Sequence, residues 1–171
     1  NLSASPFHQS KINDRVTVAR TAAARLGMPF LLANQVGGND DLVFDGSSIA
    51  AWPDGTVVLA PAWSEGVLTV DLEDPNGCIW TPSKAPDALS LGVNEVRTFA
   101  PDETAPPQSG AEGLADAVVT GLADYCRKSG LQRIVLGLSG GIDSAVAACV
   151  AVEALGPEAV HGLALPSRHS S

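Results

Sequence analysis

Positive charge is scarce in this sequence: ten Lys and Arg stand against nineteen Asp and Glu over 171 residues, for a net charge of -9. The basic residues are scattered and form no stripe, which argues against an extended DNA or RNA partner. Cysteine is sparse as well. Cys78, Cys126 and Cys149 are odd in number and lack metal-ligand or disulfide-framework spacing, so a reducing, cytoplasmic setting is expected. No apolar run approaches the length of a membrane span and no signal peptide opens the chain, so no membrane role is expected. The chain begins on Asn1, not Met, and stops in a Ser-rich run, and it reads as a fragment.

What the sequence does have is enough apolar material for globular domains, 45% of residues with a mean hydropathy of +0.15. Residues 1–6 read as a strand end running into a loop. Val16, Ala19, Ala23 and Leu26 then recur at helical spacing, with Asn13 as the expected N-cap and Gly27 as the stop. A second buried strand is expected over 30–33 and a polar loop over 34–41, with Asn34 satisfying loop backbone. Asp40, Asp41 and Asp45 read as a solvated acidic edge. Pro53-Asp54-Gly55 signals a hairpin turn between 44–52 and 56–60, and 66–72 alternates as a further strand beside it. Proline, glycine, serine and acid then take over, with Pro101, Pro106 and Pro107 excluding any long regular element. A linker over 82–112 is expected between one unit at 1–81 and another at 113–171. In the second unit Leu114, Val118, Leu122 and Tyr125 repeat at helical spacing, closing on Arg127, Lys128 and Gly130.

Two common phosphate loops are missing: the Lys-Ser/Thr ending of a Walker A loop and the three-glycine dinucleotide fingerprint. The stretch 133–155 has the form of a phosphate loop all the same. Ile134, Val135, Leu136 and Leu138 make a short apolar run of the kind a parallel strand buried on both faces needs. Gly140 and Gly141 break it, free the backbone and expose N–H groups, while Ser139, Asp143 and Ser144 sit at the start of an Ala/Val-rich helix. Such a corner is an anion cradle. Read more plainly, it is a Gly-Gly turn capped by Asp or Ser. Gly156-Pro157 ends the helix, 160–165 forms a second parallel strand on which His161 is packed or half exposed, and 166–171 begins a loop. Open α/β sheets hold ligands at that edge.

Ser139-Gly140-Gly141-Ile142-Asp143-Ser144 resembles the SGGxDS pyrophosphate loop of the N-type ATP pyrophosphatases. Leu122-Ala-Asp-Tyr-Cys-Arg-Lys-Ser-Gly, Ala154-Leu-Gly-Pro-Glu-Ala-Val and Leu165-Pro-Ser-Arg-His-Ser-Ser resemble the synthetase domain of the glutamine-dependent NAD synthetase family. Asn1-Leu-Ser-Ala-Ser-Pro-Phe and Asn34-Gln-Val-Gly-Gly-Asn-Asp-Asp-Leu-Val-Phe-Asp-Gly-Ser-Ser look like the carboxyl-terminal half of its nitrilase-type glutaminase domain. The resemblance implies an α/β fold: a partial nitrilase-type αββα sandwich followed by the start of a Rossmann-like adenine nucleotide alpha hydrolase domain. It implies ATP-dependent amidation of deamido-NAD to NAD through an adenylated intermediate, with AMP and pyrophosphate released and ammonia drawn from glutamine.

By the same resemblance ATP falls on Gly137, Leu138, Ser139, Gly140, Gly141, Ile142, Asp143 and Ser144, a Mg2+ ion on Asp143, and glutamine on Ser5 and Lys11. Ser5 also reads as a turn former before Pro6, and Lys11 as a solvated loop cation. The implied partners are deamido-NAD, ATP, and glutamine or ammonia, in a homo-oligomeric parent enzyme. The family's Glu, Lys and Cys triad would lie upstream of Asn1; Cys126 and Cys149 read instead as small packed hydrophobes on helices. Leu165 and His169 stand where the family usually has Met and Tyr, which leaves the packing of that loop around the nucleotide open.

Another amidating or tRNA-thiolating enzyme with the same ATP loop is the competing enzyme reading, the tRNA version being opposed by the acidic charge and the nitrilase-like first half. A binding or structural remnant without turnover is the third. Residues 1–171 alone are expected to hydrolyse no glutamine, since no triad residue lies among them; a glutaminase assay on this piece checks that, and measurable turnover overturns it.

Overall fold

The computed structural model describes residues 1–84, 95–103 and 110–164. The chain is a mixed α/β structure. Strand β1 (Leu2–Ser3) pairs in parallel with β2 (Phe30–Asn34), and the helix between them, α1 (Lys11–Leu26), completes the βαβ step read from the sequence. A hairpin of β3 (Val36–Asn39) and β4 (Leu42–Asp45) follows. Strands β5 (Ile49–Ala51) and β6 (Val57–Leu59) flank Pro53-Asp54-Gly55 as expected, with Ile49 opposite Leu59. Strand β7 (Gly66–Thr69) pairs with β8 (Ile79–Pro82), and β9 (Arg97–Phe99) joins β6. The main sheet is five-stranded, in the order β1-β2-β5-β6-β9.

Period-two alternation builds the core. Leu32, Ile49, Ala51, Val57 and Leu59 point to one face, where Ile12, Val16, Ala19 and Ala23 of α1 cover them. Ala50, Trp52 and Val58 point to the other, with Leu68, Val70 and Cys78 laid over them. This is one sheet with its helix, half of the layering that an αββα sandwich requires.

Several expectations are corrected here. Ser10, not Asn13, is the N-cap of α1: Ile12 is 3% exposed and anchors the first turn in the core, so the helix starts before Asn13. Gly27 does end it, at φ 64. The stretch read as a polar loop holds β3, whose glycines are buried against a later helix. The β7 segment packs against the hairpin as expected but does not pair with it; with β8 it makes its own ladder across the sheet face. Inside 82–112, β9 supplies a sheet edge, so the first unit's sheet draws on residues beyond 81. Pro106 and Pro107, and Leu165 and His169 with the loop expected at 166–171, lie outside the described residues.

The remainder comprises α2 (Ala111–Lys128), β10 (Ile134–Leu138), α3 (Ile142–Leu155) and β11 (Val160–Ala164). Strands β10 and β11 run parallel, Leu136 opposite Gly162, with α3 as the crossover. The burial of β10 on both faces is not found: Val135 is 65% exposed, because among the described residues β11 and α3 cover it on one side. Cys126 is buried as expected, but Cys149 is exposed on α3 for the same reason.

Helix α2 buries the face that carries its small residues. Leu114, Val118 and Tyr125 are half exposed or more, whereas Gly113, Ala117, Thr120 and Asp124 are buried, and the helix packs on β3 and β4. Small residues decide this. A Cβ on Gly38 would stand 3.2 Å from the Gly121 Cα, so strand and helix backbones approach more closely than larger side chains allow. The Gly38 N–H donates to Asp124 Oδ2 at 2.8 Å and Lys128 Nζ donates to the Gly38 carbonyl. Arg127 Nη2 holds Asp124 Oδ1 at 2.8 Å.

Burial alone would push the Asp124 carboxyl up; hydrogen bonds from Arg127, Gly38 and Lys128, with the Lys128 charge, outweigh it and hold it below the ordinary aspartate value of 3.8. A lowered native pKa means that the carboxylate stabilises the fold fully above that ordinary value, and that this support is lost as pH falls through the native pKa. An acid titration followed by hydrogen exchange is therefore expected to release α2 and β3 together below pH 3.8, with the acid dependence much reduced in Asp124→Asn.

Candidate functional site

The corner between β10 and α3 gathers the residues singled out in the second unit. Gly140 takes φ +82, a left-handed conformation open to glycine, while Gly141, at φ -87, is an ordinary extended N-cap and needs no such freedom. Asp143 and Ser144 fall in the first turn of α3, and no side chain caps that turn. Its leading N–H groups have no partners within the helix, and the helix dipole adds positive potential there. The Ser139 and Ser144 hydroxyls meet at 3.2 Å, Ser144 Oγ donates to the Gly141 carbonyl at 2.9 Å, and the Ser139 N–H points to Ser144 Oγ at 3.3 Å. Ser139, Gly140, Gly141, Ile142 and Asp143 are exposed, and Gly137 and Leu138 lead into them from the strand. Amide donors, two hydroxyls and a carboxylate around an open helix N-terminus can bind a phosphate chain.

No group of three or more His, Cys, Asp or Glu side chains that could hold a metal stands among the described residues. One exposed carboxylate in the loop, Asp143, suits Mg2+ of the kind that shares its shell with phosphate oxygens and water, and it does not make a cage by itself.

Ser5 and Lys11 lie apart from that corner. Ser5 is half buried, and its N–H donates to Asn34 Oδ1 at 2.9 Å; Asn34 Nδ2 returns bonds to the Ser5 carbonyl at 3.3 Å and the Gly46 carbonyl at 2.9 Å. Asn34 satisfies loop backbone, as its position suggested. Lys11 is the first residue of α1, half buried, so it is not a loop cation.

Asp45 overturns its expectation. It is fully buried and paired with Arg15 of α1, which also donates from Nη1 to the Gly46 carbonyl at 3.2 Å. A buried carboxylate without such a partner would cost several kcal/mol, about 3–5 on typical experience. The signal was available: Arg15 interrupts the apolar stripe of Ile12, Val16 and Ala19, and a charge on a core-facing stripe demands a partner. Beside this corner an open cleft of about 650 Å³ is lined by Asn34, Ser47, Ser48, Ser64, Glu65 and Trp80 among others. No local motif announces it, since its walls come from strands distant in sequence.

Comparison with known proteins matches the two units separately. Residues 1–76 match the carbon-nitrogen hydrolase family and residues 114–171 match NAD synthase. The glutamine-dependent NAD(+) synthetase of Rhodobacter capsulatus is 44% identical over 168 residues, which is 98% of this chain and 27% of that protein. That of Thermotoga maritima is 36% identical over 186 residues, 100% of this chain and 32% of that protein. The chain therefore spans about a third or less of the curated relatives that it matches. Among solved structures, the glutamine-dependent NAD+ synthetase of Acinetobacter baumannii in complex with adenosine diphosphate superposes with a TM-score of 0.66 at 27% identity. It covers 99% of this chain and 29% of that one. The corresponding enzyme of Cytophaga hutchinsonii, at 20% identity and a TM-score of 0.64 over 99% of this chain and 31% of that one, shares the fold.

Asn34→Ala removes the side-chain partner of both the Ser5 N–H and the Ser5 carbonyl, while the Gly46 carbonyl keeps its bond from Arg15 Nη1. It is expected to lower stability by about 1–3 kcal/mol, measured as a shift of the urea midpoint, because part-buried polar groups are left unmatched.

Proposed function

The chain is a homologue of part of the glutamine-dependent NAD(+) synthetases, a carbon-nitrogen hydrolase segment followed by an NAD synthase segment, and from that premise we propose that its parent protein amidates deamido-NAD to NAD. ATP is the energy source, and glutamine or free ammonia is the nitrogen source.

The chemistry accounts for the corner at β10 and α3. A carboxylate is a poor acyl donor. Transfer of AMP from ATP to the nicotinate carboxylate forms a mixed anhydride, as the bond between the α and β phosphates breaks and pyrophosphate leaves. Ammonia then attacks the acyl carbon, AMP departs with the bonding pair, and the surplus proton goes to solvent, which completes the amide. Negative charge accumulates on the departing pyrophosphate, so donors fixed where that charge appears lower the barrier. In this reading Gly137 and Leu138 lead the backbone into the cradle. The amides of Gly140, Gly141 and Ile142 and the hydroxyls of Ser139 and Ser144 hold the phosphates. Asp143 would hold Mg2+ against the phosphate oxygens, and the ion supplies charge neutralisation there. Ser5 and Lys11 would hold glutamine at the other segment. The cytoplasm is the proposed setting, supported by three cysteines that form no disulfide.

The observation that carries the reading is the meeting of the Ser139 and Ser144 hydroxyls at 3.2 Å over the open N-terminus of α3. Asp143→Ala in the full-length parent is expected to lower ATP-dependent NAD formation by roughly 10²-fold or more with the fold intact by circular dichroism. Near-normal NAD formation by that variant would sink the assignment, as would failure of the wild type with both glutamine and ammonium salts.

A further inference from the structure

Helix α2 belongs to one segment by sequence and to the other by contact. From residue 114 onward it lies within the NAD synthase match, yet its buried face sits on the β3–β4 hairpin of the carbon-nitrogen hydrolase match. It also packs along α3, whose first turn carries Asp143 and Ser144. The hairpin on its other side begins at Val36, two residues after the Asn34 that holds Ser5. One helix thus stands between the two candidate sites and touches the structure that bears each of them.

Three features fix this contact. Gly38 and Gly121 bring the backbones together, as described above. Gly37, at φ +112, leaves room for the Asp124 carboxylate, which any side chain at that position would strike. Both backbone polar groups of Gly38 are taken by α2, the N–H by Asp124 and the carbonyl by Lys128. Asp124 is misplaced by helix electrostatics alone. A carboxylate near a helix C-terminus faces the negative end of the dipole, and this one is also buried. Its position makes sense through Gly38, Arg127 and Lys128.

We propose that this contact holds the two segments in one orientation, and that Asp124 is a positioning residue for nitrogen transfer between them. The role rests on the function proposed above, in which ammonia released at one segment must reach an acyl adenylate at the other. Asp124 touches neither substrate, so its loss separates the two reactions without stopping either.

The test uses the full-length parent with Asp124→Asn, which keeps an acceptor for Gly38 but loses the charge, and with Lys128→Gln, which leaves Asp124 paired with Arg127. Glutamine hydrolysis, NAD formation from ammonium and NAD formation from glutamine are measured, together with hydrogen exchange over residues 36–45 and 111–128. The expected result is faster exchange in both stretches at once, near wild-type glutamine hydrolysis and ammonium-driven synthesis, and a rise in glutamine consumed per NAD formed of about fivefold or more. An unchanged ratio in variants whose exchange is faster would overturn the positioning role. So would a proportional fall in all three rates, which a merely structural residue produces, or unchanged exchange in both variants. If the wild type makes NAD from neither nitrogen source, the proposed function falls and this role with it; if the wild type makes NAD and the variants keep its ratio, the joint's role alone falls.

Discussion

The carbonyl oxygen of Gly46 is the point on which the first unit turns. It accepts from Arg15 Nη1 on α1 and from Asn34 Nδ2 at the end of β2, so a helix and a strand are fastened to one backbone atom. The Gly46 N–H closes the same corner by donating to the Gln35 carbonyl at 2.9 Å. Residue 46 can do this because its φ of +67 turns the chain sharply out of β4. With Asp45 beneath it satisfying Arg15, the corner sets where the Ser5 loop ends and where the β3–β4 hairpin begins. Hydrophobic burial supplies most of the stability of the α1-on-sheet layer, but it is non-directional. These polar contacts decide the angle at which the hairpin leaves the sheet.

That angle matters because the hairpin is where the second segment attaches. Along the chain the order of events is local: a glycine corner aims β3, β3 offers Gly38, and α2 takes both polar groups of that residue. From α2 the structure passes to α3 and so to the Ser139–Ser144 corner. Burial of Asp124 is tolerable because every oxygen faces a donor. The same network that neutralises it ties strand to helix.

How much of this could be read from residues alone depended on how local each feature was. The periodic stripe of α1, the Pro53-Asp54-Gly55 turn and the strand–glycine–helix run at 134–155 are set by neighbours within a few positions, and they formed where the pattern placed them. The geometry of the Ser139 to Ser144 loop was legible for the same reason. Arg15 on the apolar stripe signalled a buried partner, but that the partner is Asp45, 30 residues away, was not legible. The buried face of α2 was not legible because Leu114, Val118 and Tyr125 offer the larger apolar stripe, whereas the contact that forms depends on smallness at Gly38 and Gly121, 83 positions apart in the chain, and hydrophobicity counts reward size. Strands β8 and β9 were hidden in a stretch rich in proline and acid, being short and paired with partners that no local signal names. The cleft lined by Asn34, Ser64 and Trp80 is wholly a product of tertiary assembly.

The placement of α2 also bears on how such proteins can be cut and rejoined. Composition invites a crossover in the proline-rich stretch ahead of residue 110, where a domain seam is expected from sequence. A chimera joined there would set Gly38 from one parent against residues 121, 124 and 128 from another, so a β-carbon acquired at Gly38, 3.2 Å from the Gly121 Cα, would force strand and helix backbones to give way. A crossover placed after Lys128 carries the hairpin and its helix as one inherited unit, and leaves the nucleotide corner free to be exchanged.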